Sequence, residues 1–200
     1  MSLLRIIFTV ILAVVWVYVL SVCHRAKLTG WFFIIGAIGS FFLLNLLFYD
    51  VLPNALAIAV TYPTKVIGDI TEQYIAELSN GRLYLFFKNG RYVVPMNVES
   101  SGFTELAVFV SSVVFFKVYS VSERIFVTAF GGILVILLTS FRILFACVLV
   151  SLAGADLFYF IYNVIGRLIF FALLVLLYYM IFTRIHVNRI EIGNFNYDFD

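Results

Sequence analysis

Charge is what this chain has least of. Asp, Glu, Lys and Arg make up 12% of its 200 residues, about half the share of an ordinary soluble domain. The net charge is +2 and the basic residues are scattered, which excludes the basic face of a nucleic-acid-binding protein. There are two cysteines, Cys23 and Cys147, each inside an apolar run. That excludes a disulfide framework, and no Cys-x-x-Cys or Cys/His spacing is present to hold a metal. The two histidines, His24 and His186, end apolar runs and read as interfacial residues. No metal or cofactor is expected.

What is abundant is hydrophobic side chain, 64% of the chain. The length suits one unit, a single membrane domain over residues 1–200. Apolar runs at about 3–23, 31–48, 106–119 (a short run that can begin near Gly102), 125–149 and 167–183 predict five transmembrane helices, because a spanning segment must satisfy its own backbone. The second run is expected to continue at a shallow angle through Val51–Thr61, beyond Pro53. The first run spans a bilayer. It is followed by His24, Arg25 and Lys27 rather than by an A-x-A site, so it reads as an uncleaved helix and not as a signal peptide. Gly36, Gly39 and Gly131-Gly132 are places where helices can approach closely.

Orientation follows from the short loops. Arg25 and Lys27, Lys117 and Arg124, and Arg184 and Arg189 fall on one side, which the positive-inside rule makes cytoplasmic. The expectation is a multi-pass plasma-membrane protein with its N-terminus outside and its C-terminus inside; Arg5 and Arg167 dissent. The extracytoplasmic segment 50–104 then carries its own structure. Val66, Ile67, Ile70, Tyr74, Ile75 and Leu78 recur at helical spacing, which predicts an amphipathic helix on the outer face, ended by Ser79-Asn80-Gly81. Arg82–Lys88 and Arg91–Val98 flank Asn89-Gly90 and predict a short β-hairpin. The predicted fold class is thus an all-α polytopic membrane protein with about five transmembrane helices, an outer-face amphipathic helix and a short hairpin.

Three places stand out for chemistry. Glu99-Ser100-Ser101-Gly102 precedes a helix. Small hydroxyls there are usual caps, and free N–H groups at a helix start can also hold an oxyanion or carboxylate. Arg142 lies between apolar runs, and a charge in a span marks a functional site by default. It can bind a carboxylate or an oxyanion; alternatively it snorkels, or pairs with Glu99, Glu105 or Asp156. Tyr162, followed by Asn163 and Gly166, sits where aromatic-belt residues are common.

In order, a hairpin, Ser100-Ser101-Gly102 opening a helix, Ser140-Phe141-Arg142-Ile143 in the next helix and Tyr162-Asn163-Val164-Ile165-Gly166 entering the last make up a pattern. It resembles the exosortase/archaeosortase family of membrane transpeptidases, over roughly residues 30–183, and especially its short type-G-like branch. That family carries Cys-Ser-Gly, an Asn-x-x-Arg-like motif, and a His shortly before a Gly. Here Ser100 stands for the Cys, Thr139 for the Asn and Tyr162 for the His.

The resemblance implies action at the outer membrane face on a membrane-anchored surface protein with a C-terminal sorting signal. Ser100 would be the nucleophile, Arg142 the oxyanion or carboxylate stabiliser and Tyr162 a proton shuttle. Glu99, Ser101, Gly102 and Asn163 would support them. The replaced Cys and His leave the usual thiolate mechanism unavailable. A hydroxyl needs a positioned base, Tyr162 is a poor one at neutral pH, and Glu99 or Glu105 would need burial to serve. Cys147 falls where no motif residue is expected. The same departures favour a non-catalytic scaffold that binds a membrane partner such as a glycosyltransferase. A transporter component, suggested by Arg142 and Asn45 alone, lacks the repeats or paired broken helices of that class.

Overall fold

The computed structural model describes residues 3–184, apart from 73, 80, 88–89, 97, 99 and 154–156. Its elements run α1 (Leu3–Arg25), α2 (Thr29–Phe48), α3 (Leu52–Thr71), β1 (Tyr74–Ser79), β2 (Arg82–Phe87), β3 (Gly90–Pro95), α4 (Phe103–Phe115) and α5 (Val121–Ala153). A last helical stretch follows, made of α6 (Phe158–Phe160), a π-helical turn over Ile161–Ile165, α7 (Gly166–Tyr178) and a second π segment over Tyr179–Arg184. His186, Arg189 and the acidic tail, as well as Glu99 and Asp156, lie outside the described residues.

Among the described residues, four helical stretches are long and apolar enough to cross a membrane: Ile7–Arg25, Thr29–Phe48, Val121–Leu149 and Ile161–Thr183. α1 and α2 expose large apolar side chains such as Val14, Tyr18, Trp31 and Ile38 on their outer surfaces, as helices bathed in lipid do. The expected span at 106–119 is α4 instead. It starts earlier, at Phe103, and has 13 residues, or about 20 Å of helix, against about 30 Å of hydrocarbon.

The last span begins about six residues before the run at 167, because Ile161 and Tyr162 turn inward and are buried there. The proposed continuation of the second span is a separate helix. The chain turns at Tyr49–Val51, and Pro53 sits in the first turn of α3, where its missing N–H costs nothing. Pro63 is accommodated inside α3.

The amphipathic helix expected over residues 66–78 is cut in two. α3 stops at Thr71 on a left-handed Glu72 at φ 53°, and Tyr74–Ser79 is a strand. Tyr74 and Ala76 are buried while Ile75 and Glu77 are exposed, a period of two rather than 3.6. Consequently 79–82 is a strand turn, with Ser79 opposite Arg82 and Gly81 at φ 69°, not a helix cap. The predicted two-stranded hairpin is therefore the second half of an antiparallel sheet ordered β1-β2-β3. Gly90 belongs to β3, opposite Phe87, and β3 ends at Pro95 rather than at Val98.

The third strand explains how the hairpin is stable. One face of the sheet (Tyr74, Ala76, Leu83, Leu85, Val94) packs on Ala57 and Val60 of α3, on Ile143, Ala146 and Cys147 of α5, and on Ile161 and Tyr162. A second core joins α4, α5 and α7 through Phe109, Val113, Val135 and Leu177. Close approaches occur where glycine removes a side chain. A Cβ on Gly36 would run into the Phe115 ring, and one on Gly131 into the Phe109 ring.

At the end away from the sheet, Lys117 lies over the Phe32 ring at 4.3 Å and His24 meets the same ring. The Tyr119 hydroxyl there donates to the Ile181 carbonyl. The α1–α2 turn, the α4–α5 turn and the end of the last helix thus share one end of the molecule.

Candidate functional site

Each of the three segments singled out in the sequence is positioned by a different element. Beyond β3 the chain passes through Ser100, Ser101 and Gly102 into α4. Neither serine caps the helix. The N-terminal cap position is Gly102, left-handed at φ 76°, with no side-chain cap bond. Ser101 is buried and its Oγ donates back to the Val98 carbonyl at 3.0 Å. Gly102 is required twice over: by its positive φ, and because a Cβ there would sit 2.6 Å from the Thr139 Oγ1.

Thr139 and Ser140 lie within α5 and return their hydroxyls to the Val135 and Ile136 carbonyls at 2.9 and 3.0 Å. One turn on, Arg142 is 7% exposed, so it is held inside the protein rather than snorkelling to an interface. Its Nη2 donates to the Ser100 carbonyl at 3.3 Å. Its guanidinium carbon lies 5.2 Å from the Phe170 ring centre and 5.7 Å from that of Tyr162. The buried Nε has no hydrogen-bond partner among the described residues. A guanidinium with a donor to spare, buried between aromatic faces, is primed for an anion.

Tyr162 comes from the π turn Ile161–Ile165. A π turn adds a residue to one helical revolution and is common at functional sites. Here it leaves Ile161 and Tyr162 buried and Asn163 exposed, so Tyr162 is not the aromatic-belt residue that its sequence position suggested. Gly166 closes the turn. A Cβ there would meet the Ile161 carbonyl at 3.3 Å and the Arg142 stem at 3.4 Å.

Together these segments line one cleft of about 520 Å³. Ser100, Arg142, Tyr162 and Asn163 are all on its wall, as is Glu105 of α4. Ser101 and Gly102 are not on its wall. Sequence reasoning missed four contributors: Thr104, Tyr159, Arg167 and Phe171. Arg167 was read only as a dissenting loop charge, although its position one residue after Gly166 was a usable signal. Val93 and Val94 of β3 complete the wall.

Cys147 is buried under the sheet, away from the cleft wall. Asn45 bonds within its own helix, Nδ2 to the Phe41 carbonyl at 3.0 Å. No group of three or more potential metal ligands occurs among the described residues.

The class defined by these features is a mostly helical protein with, among the described residues, four membrane-length apolar helices, a small antiparallel sheet, and a cleft that carries arginine, glutamate and tyrosine side chains. Comparison with protein-family models, curated proteins and solved structures returned no match to this chain.

Proposed function

We propose that this chain is an exosortase-like membrane protein that takes the C-terminal sorting signal of a membrane-anchored surface protein into the cleft, at the outer face, and cleaves or transfers it through Ser100. The observation that carries this reading is convergence. Ser100, Arg142 and Tyr162, distant in sequence, meet on one cleft wall in the order that the family motifs require.

In this mechanism the Ser100 Oγ attacks the scissile carbonyl carbon and its proton passes to Glu105. The guanidinium of Arg142 stabilises the oxyanion. The C–N bond then breaks, the leaving amine takes the proton, and the acyl group goes to water or to an acceptor nucleophile. Five spans complete the arrangement, with α4 as a short fifth helix, the N-terminus outside and the C-terminus inside.

The test is processing of a co-expressed surface protein that ends in a sorting signal, an apolar helix and a basic tail. Ser100→Ala and Arg142→Ala should each leave it at full length. Unchanged processing in Ser100→Ala removes the serine mechanism.

A second reading rests on a specific observation: Arg142 already donates to the Ser100 main chain, and among the described residues no histidine lines the cleft. It is a non-catalytic scaffold of the same kind, which binds a membrane partner such as a glycosyltransferase. Under it, Arg142→Ala abolishes co-purification of the partner and Ser100→Ala does not.

A further inference from the structure

The sheet has an open edge, and that edge faces the cleft. β3 is the last strand in the order β1-β2-β3. The Met96 N–H donates to the Gly81 carbonyl at 2.9 Å. Hydrogen-bonded pairs alternate with non-bonded ones along an antiparallel ladder. Counting from Gly81 and Met96, the bonded pairs are therefore Leu83–Val94, Leu85–Tyr92 and Phe87–Gly90. The N–H and C=O groups of Arg91 and Val93 point the other way, off the sheet.

The cleft touches both Val93 and Val94. Neighbouring residues of a strand face opposite sides of its sheet, so a wall that includes both runs along the strand's edge. An unpaired edge of this kind is a template for another strand.

The cleft's charge selects what fits. Among the described residues of the wall, two arginines, Arg142 and Arg167, stand against one glutamate, Glu105, an excess of one positive charge. Among the described residues, Arg142 keeps a buried donor unused at its Nε.

We propose that an extended peptide with one acidic side chain adds to β3 as a fourth strand. Its main chain pairs with Arg91 and Val93, and its carboxylate sits between Arg142 and Arg167 beside Ser100. This deepens the reading of the cleft as a peptide-processing site and rests on it. Main-chain pairing sets the direction of the segment, alternate side chains contribute selectivity, and the carboxylate sets the register.

The experiment uses the full chain in nanodiscs. The probe is a labelled peptide of about seven residues, alternating threonine and valine around a central glutamate. Three relatives of it are tested: one with glutamine at the centre, and two methylated on alternate backbone nitrogens in one frame or the other. A strand pairs through every second residue only, so one methylated frame should lose binding and the other keep it.

Glutamine at the centre, Arg142→Gln and Val93→Pro should each weaken binding by about tenfold or more. Equal binding of the two methylated frames overturns strand addition, and needs no change to the protein. So does Val93→Pro binding like the natural chain. If an anionic phospholipid in the nanodisc, rather than the peptide, is what Arg142→Gln releases, the occupant is a lipid headgroup and the proposal falls.

Substrate processing, read in parallel, separates the two proposals. Loss of processing in Ser100→Ala but not in Val93→Pro keeps cleavage and removes strand docking. Peptide binding that depends on Val93, with processing unchanged in Ser100→Ala, keeps docking and removes cleavage.

Discussion

At the residue scale, Arg142 and Gly102 make opposite demands on the fold. Arg142 is a desolvated charge with, among the described residues, one main-chain acceptor and two aromatic faces. Burying such a group costs stability that its contacts only partly return. Arg142→Met, similar in length and uncharged, should therefore unfold no more easily than the natural chain in thermal scans in detergent, while losing anion binding. Arg142→Lys should also lose binding, since an ammonium cannot span the Ser100 carbonyl and a ligand with a planar fork.

Gly102 contributes geometry alone. Gly102→Ala should lose about 1–2 kcal/mol from the left-handed backbone, and more from the contact with Thr139. Adding Thr139→Ala should recover only the contact part, a non-additivity that a double-mutant cycle measures.

Tyr74 makes a third prediction. Its hydroxyl donates to the Thr64 carbonyl at 3.0 Å. Burial above all, with the Asp69 carboxylate nearby, holds its pKa above the ordinary tyrosine value. A pKa raised in the folded state means that the stabilisation is complete below about pH 10, the unfolded value, and is lost as pH rises beyond it. Thermal scans from pH 8 to 11 should show that decline, and Tyr74→Phe should flatten it.

At the scale of elements, the sheet and the helix pairs are held by different means. Leu85 is fully buried between sheet and bundle, so Leu85→Ala should cost about 2–5 kcal/mol and, by loosening β2 against α5, reduce cleft binding too. The α2–α4 contact depends on Gly36 against the Phe115 ring, whereas Gly30 has nothing within 4 Å of an added Cβ. Gly36→Val should cost about 1–3 kcal/mol through overpacking, and Gly30→Ala should be neutral, both read by thermal unfolding in detergent.

The elements also show why residues 66–78 misled. Ile70, Tyr74, Ile75 and Leu78 satisfy a helical spacing, and Tyr74, Ala76 and Leu78 satisfy a strand's. The sequence alone has no arbiter between the two. The choice is made by β2, which offers six register partners to Tyr74–Ser79, and by the buried surface of α3 and α5 beneath them.

For the whole molecule, the basic turns share one end and the sheet and cleft lie toward the other. The expectation is that they mark the two sides of a membrane. With Cys23 and Cys147 replaced by serine, a single cysteine at Gly81 should react with an impermeant maleimide on intact cells. One at Gly30 should react only after permeabilisation. The reverse pattern inverts the proposed orientation.

Composition and run length alone determined that this is a chain of membrane-length apolar helices, because lipid leaves a spanning backbone no other open-ended solution. The same residues flagged Ser100, Arg142 and Tyr162, since a charge inside an apolar run and a small-residue helix start are local signals. Tertiary structure decided the rest. The short helix α4, the third strand, the inward turn of Tyr162 and the recruitment of Arg167 and Glu105 all depend on contacts between elements far apart in the chain. A cleft is defined by what faces it from several such elements at once, and no single stretch of sequence contains that information.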